Sequence, residues 1–200
     1  MALVAYSLFD LCEAQSEEKV ESVLSSFSCE RNSDIELFVR CKALEFNKRR
    51  AASSYLVFDV DSASFVGFYA LALKVASIPA INVSRSFRKK FEYFGEYDSA
   101  SDSIELPVVL LAQFGKNDRY ADLVSGDQLM SLAEDSVREV HRLAGGRFVV
   151  LDAVDVRGLL NFYTNSGFRK YGNRENSEDV SSDSASFVQM FKYVHPNRYI

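Results

Sequence analysis

The centre of the sequence constrains the fold more than any other part of the chain. Residues 107–113 (PVVLLAQ) form a continuous apolar run, which is typical of a strand buried on both faces. A polar loop follows, and residues 129–143 then carry apolar side chains at helical spacing until a pair of glycines ends the helix. Residues 148–151 form another apolar run. Residues 107–153 are therefore predicted to form a strand, a loop, a helix and a strand.

The flanking sequence supplies more helices and strands but no repeat and no linker that would divide the chain. We therefore expect a single α/β (α+β) domain over residues 1–200. The other predicted elements are strands at 3–8 and 168–171, a helix at 16–27, a helix from an Asp34 cap to Arg49, a hairpin of 55–59 with 65–73, a loop at 96–105, a helix at 156–166 and a strand at 187–194.

Composition excludes several classes of protein. A net charge of −5 and a pI of about 5.2 argue against a protein that coats nucleic acid non-specifically. The three cysteines form no C-x-x-C pair, and an odd number of cysteines cannot close a disulfide framework. Two histidines cannot build a histidine-rich metal site. The sequence has no apparent signal peptide and no apolar run long enough to span a membrane. These features predict a cytoplasmic protein with no metal and no membrane partner.

The loop before the central helix has the features of an anion site. Ser125 and Gln128 match a capping box, so the helix is expected to begin at Gly126. The unpaired N–H groups of a first helical turn and the helix dipole both favour phosphate. Gly126 allows a ligand to approach the backbone closely, and Lys116 and Arg119 add positive charge. A capped helix with no ligand is the simpler interpretation of the same residues.

The sequence after the central segment carries a more specific pattern. Residues 161–168 (NFYTNSGF) form a short helix that ends in F-Y-x-x-x-G-F and leads directly into a strand. This pattern resembles the closing signature of the GNAT acetyltransferase superfamily. Residues 150–155 (VLDAVD) lie where that family has a V-x-A strand end. Residues 110–114, with the helix from Gly126, lie where it has an apolar strand, a glycine-containing phosphate loop and a long helix.

The N-terminal part of the chain extends the resemblance. Residues 34–49 and the hairpin that follows resemble the helix and hairpin of the acetylating toxins of toxin–antitoxin pairs, so the likeness covers roughly residues 27–172. The resemblance implies a mixed, mostly antiparallel central sheet, flanked by helices, with a splayed gap for the cofactor. It also implies acetyl-coenzyme A as the co-substrate.

The resemblance implies a chemistry as well. An acceptor amine would attack the thioester directly in a ternary complex, with Tyr163 as the general acid for the departing thiolate. The N–H of Phe114 or Gly115 would hold the oxyanion. The implied cofactor-binding residues are Gln113, Phe114, Gly115, Lys116, Arg119, Ser125, Gly126, Asp127 and Asn161.

The phosphate loop departs from the family pattern. Only Gly126 remains at a matching place, while Asp122 and Asp127 bring negative charge towards the expected pyrophosphate. One hypothesis is a longer loop that binds coenzyme A through Lys116, Arg119 and the backbone. The other is a decayed cofactor site, which would leave a non-catalytic acyl-coenzyme A-binding or protein-interaction module on a GNAT scaffold.

The acceptor is left open by the sequence, which shows no obvious catalytic base. The candidates are an aminoacyl-tRNA, a protein amine and a small amine. The basic cluster Arg85–Lys90, together with residues 48–50, suits an RNA acceptor, although a solvated helix face explains the same residues. If the chain is a toxin, an antitoxin is an expected partner, and a homodimer is a further hypothesis.

Overall fold

The computed structural model describes residues 2–175 and 186–195. The chain divides into two compact units, each built from two segments. The first unit contains Met1–Ala72 and Leu111–Ser136, and the second contains Leu73–Leu110 and Val137–Ile200. Because neither unit is continuous in sequence, the boundary could not be recognised from composition along the chain.

Eight strands and seven α-helices are found in the described residues. A π-helical stretch at Phe38–Lys42 and 3₁₀ turns at Ala80–Asn82 and Asp118–Leu123 complete them. The elements are β1 (Leu3–Ser7), α1 (Leu8–Ala14), α2 (Glu17–Ser25), α3 (Ser33–Leu37), α4 (Ala43–Lys48), β2 (Ser53–Asp59), β3 (Ser64–Pro79), α5 (Arg85–Phe94), β4 (Glu96–Asp98), β5 (Ser103–Lys116), α6 (Gly126–Ala144), β6 (Phe148–Val154), α7 (Arg157–Asn165), β7 (Arg169–Glu175) and β8 (Ser186–Tyr193).

The first unit packs helices α1 to α4 on strands in the order β1-β2-β3-β5. β2 pairs antiparallel with β1 and with β3, with a register shift between Val57 and Phe58. The apolar stripe of α2 is buried, as its helical spacing predicts, because Val20 and Leu24 join a core that includes Phe27 and Phe68. Each such side chain contributes about 1.5–3 kcal/mol when fully buried.

The second unit has strands in the order β3-β5-β6-β8-β7, with β4 beside β5. β5 pairs parallel with β6, where Val109 lies opposite Val149 and Leu110 lies opposite Val150. The other pairs are antiparallel: β4 with β5, β6 with β8, and β7 with β8. An aromatic cluster fixes α5 on this sheet, with the Phe91 ring centroid 4.9 Å from that of Phe148 and 5.0 Å from that of Phe191. The predicted mixed, mostly antiparallel sheet flanked by helices is confirmed.

Helix α3 corrects one prediction about capping. Asp34 does not cap the helix, because the chain is already helical at Ser33 and the Oδ1 atom of Asn32 accepts the hydrogen bond from the Ile35 N–H at 3.2 Å. Asp34 instead lies in the first turn, where its negative charge interacts favourably with the positive end of the helix dipole. Asn and Asp are equally good caps, so the two positions are hard to separate by sequence.

Two further predictions differ from the structure. The expected loop at residues 96–105 contains strand at both ends, since β4 pairs with Ser103–Glu105 of β5. The short helix α1, capped by the Ser7 hydroxyl, follows β1 where no element was expected. No helix in the described part of the chain is long and apolar enough to cross a membrane.

We expect His141 on α6 to make the stability of the protein depend on pH. It is 7% exposed, its Nε2 atom has no hydrogen-bond partner among the described residues, and burial holds its pKa below the usual value. The unfolded state therefore binds the proton more tightly, so the free energy of unfolding should fall as the pH drops below about 6.5. Urea unfolding at about pH 7.5 and about pH 5.5 should show this loss, and His141→Leu should reduce it. An equal loss in the variant would contradict the assignment.

Candidate functional site

The end of β5 brings together Gln113, Phe114 and Gly115 in the first unit. The side chains of Gln113 and Phe114 are half-buried. A Cβ added to Gly115 would lie 3.1 Å from Cγ2 of Ile35 and 3.7 Å from Cζ of Phe27, so helix α3 packs closely on this strand because the residue is glycine. The backbone predicted to hold the thioester is therefore fixed by packing from α3.

Asn117 follows β5 and is completely buried. Its Nδ2 donates to the Phe65 carbonyl at 2.8 Å, and its Oδ1 accepts from the N–H of Ser28 at 3.1 Å and of Arg119 at 3.3 Å. Sequence reasoning missed this residue, because a polar residue in a polar loop gives no sign of burial. The one available signal is that Asn is a frequent cap, here of the 3₁₀ turn.

Lys116 and Arg119, the two cations predicted to bind phosphate, lie in different surroundings. The Lys116 ammonium donates to the carbonyls of Ala121 at 2.9 Å and Val124 at 3.2 Å. Arg119 is exposed on the 3₁₀ turn. Lys116 is therefore directed at the backbone of the loop, and Arg119 is directed towards solvent.

Helix α6 begins at Gly126, as predicted, and its capping box is formed in both directions. The N–H of Ser125 donates to Oε1 of Gln128 at 2.9 Å, and the N–H of Gln128 donates to the Ser125 hydroxyl at 3.1 Å. The N–H groups of Gly126 and Asp127 precede the first intrahelical donor, Leu129. They are the donors that a first turn can offer to an anion.

Removing the Ser125 hydroxyl should destabilise the protein. Ser125→Ala loses one bond of the capping box, so we expect the free energy of unfolding to fall by about 1 kcal/mol. Ser131→Ala, the same change at an exposed position within α6, should stabilise the helix slightly because alanine has the higher helix propensity. Chemical denaturation measures both variants, and equal effects would contradict a capping role.

Tyr163 lies on α7 in the second unit and is 7% exposed. Its ring meets Phe168 edge-on at a centroid distance of 5.8 Å, and burial raises the pKa of its phenol above the ordinary value. The hydroxyl therefore keeps its proton throughout the physiological pH range, so it has a proton to donate in a hydrogen bond. Asn161, two residues earlier on α7, is exposed.

The termination of α7 explains the spacing of the F-Y-x-x-x-G-F motif. The N–H of Phe168 donates to the Tyr163 carbonyl at 3.0 Å, and the N–H of Gly167 donates to the Thr164 carbonyl at 2.9 Å. These are the two bonds of a Schellman motif, and Gly167 has the positive φ of 89° that this motif requires. The glycine four residues after Tyr163 is thus the C-terminal stop of the helix that holds the tyrosine.

The two predicted basic clusters differ in how their charges are used. In the first unit, Lys48 pairs with Glu17, Arg49 pairs with Glu45, and the Arg50 guanidinium lies 3.9 Å from the Phe9 ring centroid. In the second unit, α5 exposes the side chains of Arg85, Lys89, Lys90 and Tyr93. The Lys90 ammonium lies 4.6 Å from the Tyr193 ring centroid, and Arg88 pairs with Glu92 at 2.9 Å.

The predicted site residues are therefore distributed over both units. Residues 113–127 belong to the first unit, and Asn161 and Tyr163 belong to the second. Within the described ranges, no group of three or more His, Cys, Asp or Glu side chains is placed to hold a metal ion.

No protein-family model and no protein with a curated description matches this sequence. Solved structures do match it. A bacterial toxin is 18% identical, with a TM-score of 0.63, over 96% of this chain and 91% of that chain. AtaT complexed with acetyl-methionyl-tRNAfMet is 16% identical, with a TM-score of 0.64, over 94% of each chain. A tyrosine-to-phenylalanine mutant of KacT is 13% identical, with a TM-score of 0.63, over 94% of each chain. The chain therefore has the GNAT fold of the toxins AtaT and KacT, as the resemblance in its sequence implied.

Proposed function

We propose that this chain is an N-acetyltransferase that transfers the acetyl group of acetyl-coenzyme A to an amine. The observation that carries the proposal is Tyr163, a buried phenol held at the closing turn of α7 within F-Y-x-x-x-G-F. The fold shared with AtaT supports it, because AtaT has been solved with acetyl-coenzyme A and with acetyl-methionyl-tRNAfMet. The whole chain of 200 residues would act as a single acetyltransferase-like domain in the cytoplasm.

The first unit would hold the cofactor. Its pyrophosphate would accept hydrogen bonds from the N–H groups of Gly126 and Asp127, with the dipole of α6 and the Arg119 side chain adding attraction. The carboxylates of Asp122 and Asp127 oppose that attraction, so affinity depends on the cations of the loop. The pantetheine arm would lie along Gln113 and the neighbouring backbone, with Phe114 or Gly115 donating an N–H to the oxyanion.

Tyr163 would serve the leaving group. The acceptor nitrogen forms a bond to the acetyl carbon, the carbon–sulfur bond breaks, and the proton lost by the amine replaces the one that Tyr163 gives to sulfur. An ordinary thiol has a pKa of about 8.5, well below that of a buried tyrosine. Transfer of the phenol proton to the thiolate is therefore uphill unless the proton lost by the amine replaces it on the tyrosine oxygen, and the phenol acts first by donating a hydrogen bond to the developing thiolate.

Replacing Tyr163 tests this role. Tyr163→Phe should lower kcat about 10²–10⁴-fold, the usual contribution of a general acid, while calorimetry should give the same affinity for acetyl-coenzyme A. The assay measures free coenzyme A released in the presence of aminoacyl-tRNA, peptides or small amines. Tyr171→Phe is a matched control, because burial also raises the pKa of Tyr171, to about 12, but this residue lies on β7. Unchanged turnover in Tyr163→Phe would remove the acid assignment.

Among acceptors, an aminoacyl-tRNA is favoured by the surface of α5. Arg85, Lys89 and Lys90 are exposed on this helix together with Tyr93, and such cations bind phosphate while an aromatic ring stacks on bases. The acetylated tRNA solved with AtaT supports the same class of acceptor.

We propose in addition that the chain is a toxin neutralised by an antitoxin, since AtaT has also been solved with the C-terminus of the antitoxin AtaR. A homodimer stays a prediction.

Reversing two charges on α5 tests the acceptor. Arg85→Glu with Lys89→Glu should raise KM for aminoacyl-tRNA and reduce the salt dependence of binding by about two units of slope, since each lost phosphate contact removes about one. The kcat with a small amine should not change. The control is Lys42→Glu with Lys74→Glu, because these two exposed lysines lie outside both basic clusters. A similar loss in both double variants would indicate a general effect of net charge.

A further inference from the structure

The loop between β5 and α6 is held by two adjacent side chains, those of Lys116 and Asn117. Lys116 reaches forward and donates to the carbonyls of Ala121 and Val124, at 2.9 and 3.2 Å. Asn117 fixes the beginning of the loop through its buried amide. The two side chains therefore restrain both ends of residues 118–125.

The Asn117 amide connects three segments of the first unit. Its side chain bonds to Phe65 on β3, to Ser28 after α2 and to Arg119 in the loop, and its own N–H donates to the Val66 carbonyl at 2.9 Å. Because the amide is fully buried, each lost partner would leave an unsatisfied polar atom, at a cost of about 1–3 kcal/mol. The cost of breaking these hydrogen bonds strengthens the restraint on the loop.

Asp118 adds to the connection with the segment after α2. Its N–H donates to the Ser28 carbonyl at 2.8 Å, and its Oδ2 accepts from the Glu30 N–H at 2.7 Å. With the bond from Ser28 to Asn117, three hydrogen bonds join residues 28–30 to residues 117–118. The first residues of the loop are therefore fixed before any ligand binds.

Lys116 also determines which way the loop peptides face. In a planar trans peptide the C=O and the following N–H point in opposite directions. Since the carbonyls of Ala121 and Val124 face the ammonium, the N–H groups of Asp122 and Ser125 point away from it. The Ser125 N–H donates to Gln128 in the capping box. The N–H of Asp122 is therefore the one that points away from the Lys116 ammonium without a part in the capping box.

A glycine-rich phosphate loop directs its N–H groups outwards in a different way. Glycine has no Cβ and adopts positive φ at little cost, which allows amides to converge on a phosphate. Here residues 117–125 contain no glycine, and none of them has a positive φ. The conformation is imposed by side chains that bond to the backbone.

We propose that Lys116 and Asn117 are positioning residues that hold residues 118–125 and the first turn of α6 in the conformation that receives the pyrophosphate of acetyl-coenzyme A. They take the place of the glycines that such loops otherwise use. The inference rests on the proposed function, because it concerns the same cofactor. Lys116 acts through the loop carbonyls, while Arg119 and the amides of α6 face the phosphates.

The test compares two ligands and one property of the free protein. Calorimetry measures the affinity for acetyl-coenzyme A and for S-acetyl-pantetheine, which lacks the pyrophosphate, and amide hydrogen exchange measures opening of the loop without ligand. Lys116→Met keeps the side-chain stem and removes the ammonium. We expect about tenfold or greater weakening for acetyl-coenzyme A, unchanged affinity for S-acetyl-pantetheine and faster exchange of residues 118–125. In kinetics, KM should rise while kcat is preserved.

A second variant guards against a folding defect. Asn117→Asp keeps the shape of the side chain and removes the donor to the Phe65 carbonyl, so it should produce the same pattern. If it fails to fold, Lys116→Met alone decides the outcome. Lys42→Met, at an exposed position in the π-helical stretch, removes one charge elsewhere in the first unit and should change neither exchange nor affinity.

Each other outcome overturns the inference in a distinguishable way. Weaker binding of acetyl-coenzyme A with unchanged exchange would make Lys116 a direct phosphate ligand. Faster exchange with unchanged affinity would mean that the loop does not contact the cofactor. Equal weakening for both ligands would place the defect outside the pyrophosphate site. Failure of the wild-type chain to bind acetyl-coenzyme A would remove the proposed function itself, and the inference with it.

Discussion

The buried amide of Asn117 is the interaction on which the first unit depends. It lies where β5 ends, and through it β3, the segment after α2 and the start of the loop share one polar centre. Such a group is costly to bury unless all its atoms are paired, and pairing them requires the three segments to meet in one arrangement. The position of the helix α6 N-terminus follows from this, since only a short, restrained loop separates it from Asn117. Stability and the shape of the candidate site are therefore determined by the same hydrogen bonds.

In the second unit the helix stop and the candidate acid are one feature. The carbonyl of Tyr163 accepts the closing bond from Phe168, so the residue that carries the phenol also takes part in the C-terminal stop of α7. Gly167 supplies the positive φ, and the Phe168 ring then packs on the Tyr163 ring. A Schellman stop needs a glycine at this spacing in any protein, which is why the motif alone is only moderately specific. The information about chemistry lies in the tyrosine and its burial.

Local signals were predictable from the sequence, and distant contacts were not. The start of α6 follows from Ser125 and Gln128, which are three residues apart, and the stripe of α2 follows from its helical spacing. The extension of β5 back to Ser103 depends on pairing with β4, and its register is not encoded in residues 103–106 alone. Asn117 bonds to Phe65, 52 residues away, and the carbonyls that accept from Lys116 become its neighbours only when the loop folds back. Tyr163 and Gly126 could be proposed from pattern, but the residues that restrain the loop required the tertiary structure.

The shortage of glycine in the phosphate loop has a different meaning once these restraints are considered. A glycine-rich loop is adaptable, but it loses more conformational entropy than other sequences when a ligand orders it. A loop without glycine that is braced by Lys116 and Asn117 is ordered by the fold, so less entropy remains to be lost on binding. A sequence pattern that requires glycines does not detect such a loop. The loop is recognised in the structure from the carbonyl groups that face Lys116.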